Sequence, residues 1–339
     1  MLTILSLPNE VIIKIFQYLS PSETQRVIEV FYHSPKSHQL LELLYRRLFS
    51  GKLMLINDEP KHKHYPDCEL TLSSFLDKFL TLNKENRLFQ STRPNKIEFN
   101  FTRQHCDYMR FISNLNQFHE ILEDPSCQEY FKNTLQVDVY VDANLVLIEN
   151  PDNLTAVIIK VILELSKHKE FVHKIQHLTI KASDIGNMYV PQWSLLFTNF
   201  SSLVSLDLSQ NLLKSNYDQY LDLWGASKKF PSFLKKLNLD SNMLTYVSKE
   251  FIKNLPDSLE ELLMNQNDIE IIELCDLGVL LPNLKKWELN YTKLSIMNPL
   301  TFKSCDKGFT LELVSTYLPV TDLEKLKKIA HEKRFTVVI

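Results

Sequence analysis

Side chains capable of chemistry are plentiful in this 339-residue chain, and their spacing decides what chemistry is open to them. His62, His64 and Cys68 stand near one another, but no ligand-spacing rule fits them, and the surrounding 57–67 run reads as an exposed loop. The five cysteines, Cys68, Cys106, Cys127, Cys275 and Cys305, are odd in number and never form C-x-x-C, which is the usage of reduced thiols in the cytoplasm or nucleus. The five glycines, Gly51, Gly186, Gly225, Gly278 and Gly308, are never closer than 30 residues, so G-x-G-x-x-G, a P-loop and G-x-S-x-G cannot be written. Ten histidines and 41 carboxylates allow a triad to be drawn, but no nucleophile stands at a fixed spacing from a base. The expectation is a chain with no catalytic residue, no metal site and no cofactor.

The charged residues do have a period, because they sit between leucines that repeat. L-x-x-L-x-L-x-x-N-x-L is written at Leu203, Leu206, Leu208, Asn211, Leu213 and again at Leu234, Leu237, Leu239, Asn242, Leu244. A third copy is Leu259, Leu262, Met264, Asn267, Ile269, and a fourth is Leu284, Trp287, Leu289, Thr292, Leu294. The starts are 31, 25 and 25 residues apart, the period of leucine-rich repeats. Apolar residues two apart put both side chains on one face of a short strand. The Asn just beyond turns inward to satisfy backbone groups that would otherwise be buried unpaired. Stacked, Asn211, Asn242 and Asn267 predict a ladder, and Thr292, with fewer donors, predicts a looser turn. No repeat buries its own apolar face, so the array is one cooperative object.

The residues between the strand leucines point away from the core and line the face predicted to be concave. Over seven repeats they include Asp138, Asp142, Asp207, Asp240, Glu261, Glu288 and Glu312, against Lys181, Lys236 and Lys286. Seven acids to three lysines predict a partner protein segment that is basic or rich in hydrogen-bond donors. The expected contacts are Tyr140, Asp207, Asn238, Asp240, Glu261, Leu263, Glu288 and Glu312. Tyr140 and Leu263 stand out as anchors, since desolvated apolar and aromatic groups dominate interfaces. The same alternation of charge equally serves to keep an exposed sheet soluble. Trp287 holds a repeat core position and is read as structural, as are Trp193 and Trp224.

Weaker copies extend the array: Ile175, Leu178, Ile180, Ser183, Ile185; Val139, Val141, Asn144, Val146; and Phe99, Phe101, Gln104, Cys106. Helices intervene, the clearest over 152–169, where Leu154, Val157, Ile158, Val161, Ile162 and Leu165 make one apolar stripe. A short helix is expected over 72–82. At the other end Leu311, Leu313, Thr316 and Leu318 continue the frame, a helix carries Leu323, Leu326 and Ile329, and 335–339 reads as a last strand whose open edge suits a partner.

The net charge of −3 argues against general binding to nucleic acid or an anionic membrane, and no apolar run is long enough for a membrane span. The start lacks a basic n-region and is not read as a signal peptide.

The N-terminal 50 residues read as three short helices, too small for a comfortable core of their own. Leu7, Pro8, Glu10, Val11, Ile13, Ile15, Phe16, Tyr18 and Leu19 resemble the first half of an F-box, L-P-x-E-(apolar)-(apolar)-x-I-F-x-x-L. The second half departs from that pattern: Val30-Phe31-Tyr32-His33-Ser34 replaces the Val-Cys-x-x-Trp segment. The resemblance implies docking on the Skp adaptor of a cullin–RING (SCF) ubiquitin ligase, with Leu7, Pro8, Glu10, Ile12, Ile13, Phe16 and Leu19 at the adaptor interface. A plain helical cap on the solenoid would use the same helices. An F-box followed by leucine-rich repeats resembles the substrate receptors of that ligase class.

The expected architecture is therefore α/β: a three-helix F-box over 1–50, a helical and loop linker over 51–95, and a curved leucine-rich-repeat solenoid with a parallel concave sheet over 96–339. The expected function is target recognition for ubiquitination and proteasomal degradation. The alternative is a non-catalytic repeat scaffold in a stable complex, without ubiquitin transfer.

Overall fold

Short runs with apolar residues two apart recur along the chain, and among the described residues they supply the strands of one large parallel sheet. The computed structural model describes residues 7–31, 40–41, 43–44, 47–48, 51–57, 68–80, 94–102, 108–143, 151–183, 185–187, 197–215 and 230–339. The chain divides into two units, Met1–Tyr140 and Val141–Ile339.

The first unit opens with α1 (Asn9–Phe16) and α2 (Pro21–Phe31). Pro8 O accepts the N–H groups of Val11 and Ile12, so the chain turns into α1 at the proline. At the other end the Arg47 guanidinium donates to the carbonyls of Phe16, Gln17 and Leu19, satisfying groups that a helix C-terminus leaves open. A reciprocal capping box starts α2: Glu23 N–H donates to Ser20 Oγ at 3.3 Å, and Ser20 N–H donates to Glu23 Oε2 at 2.7 Å. The cap is thus Ser20. The third expected helix falls partly outside the described residues; Leu40, Leu44 and Leu48 are helical and buried.

Strands β1 (Lys52–Ile56), β2 (Cys68–Thr71), β3 (Lys96–Thr102) and, after helices α3 (Tyr108–Glu123) and α4 (Pro125–Lys132), β4 (Gln136–Asp142) follow. Their order in the sheet is β2-β1-β3-β4, and β1 is parallel to both neighbours, with Leu53 opposite Ile97 and Leu55 opposite Phe99. The 51–95 stretch, expected as helix and loop, therefore supplies two strands, and Leu53 and Leu55 alternate into the core as sheet residues do. The helix expected over 72–82 is found as Leu72–Ser74 continuing into a wider turn, Phe75–Leu80. Asn57, expected in the exposed loop, is buried: its carboxamide donates to Thr102 O at 2.8 Å and accepts Thr102 N–H at 3.1 Å, standing in for a strand partner. Phe99, Phe101, Phe118 and Phe131 fill the core between β3, α3 and α4, with Phe99 and Phe118 ring centres 4.6 Å apart.

The second unit begins with α5 (Pro151–Lys167), where Ile158, Val161, Ile162 and Leu165 are buried; the side chains of Leu154 and Val157 lie outside the described residues. Seven strands then pair in chain order, all parallel: β5 (Ile175–Lys181), β6 (Ser205–Asp207), β7 (Lys236–Asn238), β8 (Glu261–Leu263), β9 (Lys286–Glu288), β10 (Thr310–Glu312) and β11 (Thr336–Val338). One register runs through them, from Leu178 through Leu206, Leu237, Leu262, Trp287 and Leu311 to Val337. Behind this sheet, Tyr246–Val247, Ile271–Ile272 and Ile296–Met297 form a second, three-stranded parallel sheet. Short helices such as α6 (Lys249–Asn254) return the chain, and α7 (Val320–Lys333) precedes the last strand. The repeat leucines are buried throughout, and Trp287 is fully buried against Phe302. This is an α/β fold built on a large parallel sheet, one strand per repeat. Trp193, Trp224, Asn144, Val146, Gln104 and Cys106 lie outside the described residues.

Candidate functional site

Two polar ladders run across the second unit, one inside and one on its open face. The inner ladder is the expected Asn stack. Asn211 Oδ1 accepts Ser183 N–H at 2.9 Å, Asn242 Oδ1 accepts the N–H groups of Asn211 and Leu213, and Asn267 Oδ1 accepts Leu244 N–H at 3.1 Å. Their amide groups donate to carbonyls of their own turn and of the repeat before. Thr292 donates only to Leu289 O in its own turn, at 2.9 Å, so the ladder ends at Asn267.

The outer ladder consists of residues expected to meet a partner. Asp207 Oδ2 accepts Asn238 Nδ2 at 3.1 Å, and Asn238 Oδ1 accepts Asp240 N–H at 2.9 Å. Asp240 Oδ1 accepts Asn265 N–H at 2.7 Å, and Asn265 Nδ2 donates to Glu288 Oε2. Asn290 Nδ2 donates to Glu312 Oε2 at 2.9 Å. Ion pairs overlie this ladder: Lys236 with Glu261 at 2.9 Å, and Lys286 with both Glu288 and Glu312. The Asn290 amide and the Lys286 ammonium hold the Glu312 carboxyl below the ordinary glutamate range, and the two carboxylates push the Lys286 ammonium up. The Asp240 carboxyl moves up instead, because burial outweighs its bonds to Asn265 and because Glu288 and Asp207 repel its charge.

The acidic lean of the face is accordingly much smaller than the residue count suggests. Lys236 pairs with Glu261, and Lys286 is shared between Glu288 and Glu312; Asp138 is buried against Lys96, and Asp142 is buried. Leu263, expected as an exposed anchor, is only 9% exposed, since its in-register neighbours Asn238 and Glu288 cover it from both sides. Tyr140, in the first unit, is half-buried. The unit's open face carries a groove of about 420 Å³ that brings together Asp207, Asn238 and Asp240 from the expected set. It adds Ser209, which also lies between the strand leucines, and Gln266 and Tyr291, which the sequence reading missed. The missed signal is positional. Gln210, Ser241, Gln266, Tyr291 and Ser315 fall at one place in the repeat and share a left-handed φ of 54–59°, which turns the chain at the groove rim.

The adaptor-facing set is also redistributed. Ile12 and Phe16 are 4% and 6% exposed and serve the packing of the N-terminal helices. Pro8 is exposed, Leu7 and Leu19 are half-buried, and the side chains of Glu10 and Ile13 lie outside the described residues. The open apolar surface of this region is Val11, Ile15 and Tyr18, at i, i+4 and i+7, with Val30 on α2.

Burial raises the thiols of Cys275 and Cys305 to about 11 and about 12, and that of Cys127 higher still, so these three stay protonated at neutral pH. Among the described residues no group of His, Cys, Asp and Glu is arranged to hold a metal; His62, His64 and the Cys68 side chain lie outside them. No described helix is long and apolar enough to cross a membrane.

No protein-family model matches the chain, and no curated protein matches it. Among solved structures it is similar to the crystal structure of a TLR13–ssRNA13 complex, at a TM-score of 0.41 and 14% identity. The match covers 68% of this chain and 30% of that one.

Proposed function

We propose that this chain is the substrate-recognition subunit of an SCF-type ubiquitin ligase, acting in the cytoplasm or nucleus. Its N-terminal helices would bind the Skp adaptor, and through it the cullin and RING subunits, while the open face of the repeat sheet and the C-terminal region hold a protein target for ubiquitination and degradation. The observation that carries this reading is the L-P-x-E helix start followed by an exposed apolar stripe, Val11 and Ile15 on a helix whose other face is packed and Tyr18 in the turn after it. The chain contributes no chemistry; it contributes proximity, holding a target near a ubiquitin-charged enzyme. The test is co-expression with the Skp adaptor and gel filtration of wild type and a Val11→Ser, Ile15→Ser, Tyr18→Ser variant. Co-elution that is lost in a variant with unchanged circular dichroism supports the proposal. A folded wild type that elutes apart from the adaptor overturns it.

A second reading is a scaffold in a stable complex, without ubiquitin transfer. It is favoured by the ion pairs that Lys236 and Lys286 make, which use the acids of the open face within the chain. Adaptor binding without cullin recruitment would select this reading.

A further inference from the structure

Two acids on the open face of the second unit differ from the rest. Glu261, Glu288 and Glu312 each meet a lysine, whereas Asp207 and Asp240 meet none among the described residues. Asp207 has both oxygens engaged, by Ser209 N–H at 2.9 Å and by the Asn238 amide. Asp240 takes Asn265 N–H at Oδ1 and a further hydrogen bond from the Asn265 side chain, two of the roughly four acceptor positions that a carboxylate offers. A second, independent feature lies in the same groove. Ser209 is only 6% exposed, yet it lines the groove and its hydroxyl has no hydrogen-bond partner among the described residues. At the rim stands Tyr291, 61% exposed. Lys181 also lines the groove and pairs with neither aspartate, leaving two carboxylates against one ammonium, with Glu288 adding to the negative field at Asp240.

We propose that this groove receives an arginine side chain from a segment of the partner protein, with Asp240 and Asp207 as its counter-charges, Ser209 Oγ as a further acceptor and Tyr291 as its stacking face. This rests on the open sheet face being the target-binding surface, as proposed above. The groove's unfilled groups are acceptors on neighbouring strands. A guanidinium, planar and carrying five donors, serves several acceptors at once, and its face packs on an aromatic ring. A lysine ammonium is a compact, strongly hydrated charge and leaves part of that set unpaired. A neutral donor-rich segment leaves the two carboxylates uncompensated.

The probe is a heptapeptide, Ser-Gly-Ser-Arg-Ser-Gly-Ser, titrated into the isotope-labelled full chain while the side-chain amide signals of Asn238, Asn265 and Asn290 are followed by NMR. Its companions carry citrulline, the neutral isostere, or lysine at the central position. The arginine peptide is expected to give saturable shifts, and citrulline, or Asp240→Asn in the protein, to weaken binding about tenfold or more. Glu250→Gln, whose carboxylate pairs with Lys253 on α6 and lies outside the groove, should leave binding unchanged. Absence of saturable shifts, equal binding of citrulline, or indifference to Asp240→Asn overturns the proposal; equal binding of lysine overturns the guanidinium assignment. Adaptor co-elution is measured on the same protein. If co-elution persists while the peptide fails, the groove assignment alone falls; if the peptide binds while co-elution fails, the ligase reading alone falls.

Discussion

The carboxamide oxygen of Asn242 accepts the backbone N–H of Asn211, one repeat earlier, at 2.9 Å. The same oxygen takes Leu213 N–H at 3.0 Å, and the amide nitrogen donates to Leu208 O, Leu239 O and Asp240 O. One side chain therefore satisfies five backbone groups from two repeats in an interior where water cannot replace it.

Asn242→Ala removes all five bonds, leaving the N–H groups of Asn211 and Leu213 and the Leu208 carbonyl short of a partner while Leu239 O keeps Asn267 Nδ2 and Asp240 O keeps Gln210 N–H, and is expected to cost about 3–4 kcal/mol. Thr292→Ala removes one bond within one turn and should cost about 1 kcal/mol. Thr292→Asn restores the repeat residue and should recover about 1 kcal/mol over wild type by extending the ladder. Urea denaturation checks the series; equal losses for the two alanine variants would refute the idea that the ladder holds the repeats together.

Gly278→Ala tests the packing of successive repeats. A Cβ at Gly278 would stand 2.2 Å from Ser304 O, a backbone atom of the following repeat that cannot swing aside. A loss of about 2–4 kcal/mol is expected, since relief requires the backbone of one repeat to shift. Gly51→Ala, with nothing within 4 Å of the added carbon, is the control and should change stability little. Thermal melts of the two variants separate the steric cost from any general cost of replacing glycine.

The repeats were legible because their signal is doubly redundant: the leucines at Leu206 and Leu208 report a strand, and Asn211 reports the turn that ends it. Where the Asn is missing the signal fades, as at Thr292, yet the register continues because Trp287 and Leu289 still alternate. β1 was hidden by brevity: five residues with Leu53 and Leu55 inside look like linker until β3 is placed beside them. Helices were expected between the early copies, but the residues of α3 were not named: Phe111 and Leu115 are buried there, and Phe118 packs on Phe99 and Phe101, brought close only by the fold. The open face misled for a different reason. A count of acids cannot say which are paired, and the two lysines that pair with Glu261, Glu288 and Glu312 stand on the same or a neighbouring strand.

Acid titration should move two carboxyls in opposite directions. Glu260 is clamped by Lys235 at 2.8 Å and by Lys285, and those two hydrogen bonds hold its carboxyl down to about 2 from an ordinary 4.5. Its folded value is depressed, so its contribution is present above pH 4.5 and is lost as pH falls toward 2. Asp240 is raised above its ordinary 3.8, chiefly by burial and then by Glu288 and Asp207, so its ionisation weakens the fold as pH rises through the raised value. As pH falls, NMR titration of the carboxyl carbons should show Asp240 taking up its proton before Glu260. Reversal of that order would contradict both assignments.

The final prediction separates packing from contact at the N-terminus. Phe16 and Ile12 are buried, while Ile15 on the same short helix and Tyr18 in the turn that follows it are 43% and 83% exposed. Phe16→Ala should therefore destabilise the N-terminal helices by about 3 kcal/mol, as large-to-small core changes do. Ile15→Ser and Tyr18→Ser should each stay within about 0.5 kcal/mol of wild type, as surface substitutions do. Adaptor binding should follow the other ranking: lost in the two surface variants with the helices intact, and reduced by Phe16→Ala only in proportion to unfolding. Hydrogen exchange of the α1 amides alongside adaptor pull-down measures both quantities on one preparation. If Phe16→Ala abolished binding without faster exchange while Tyr18→Ser bound normally, Phe16 would have to reach the adaptor directly, and the exposed stripe would lose its role.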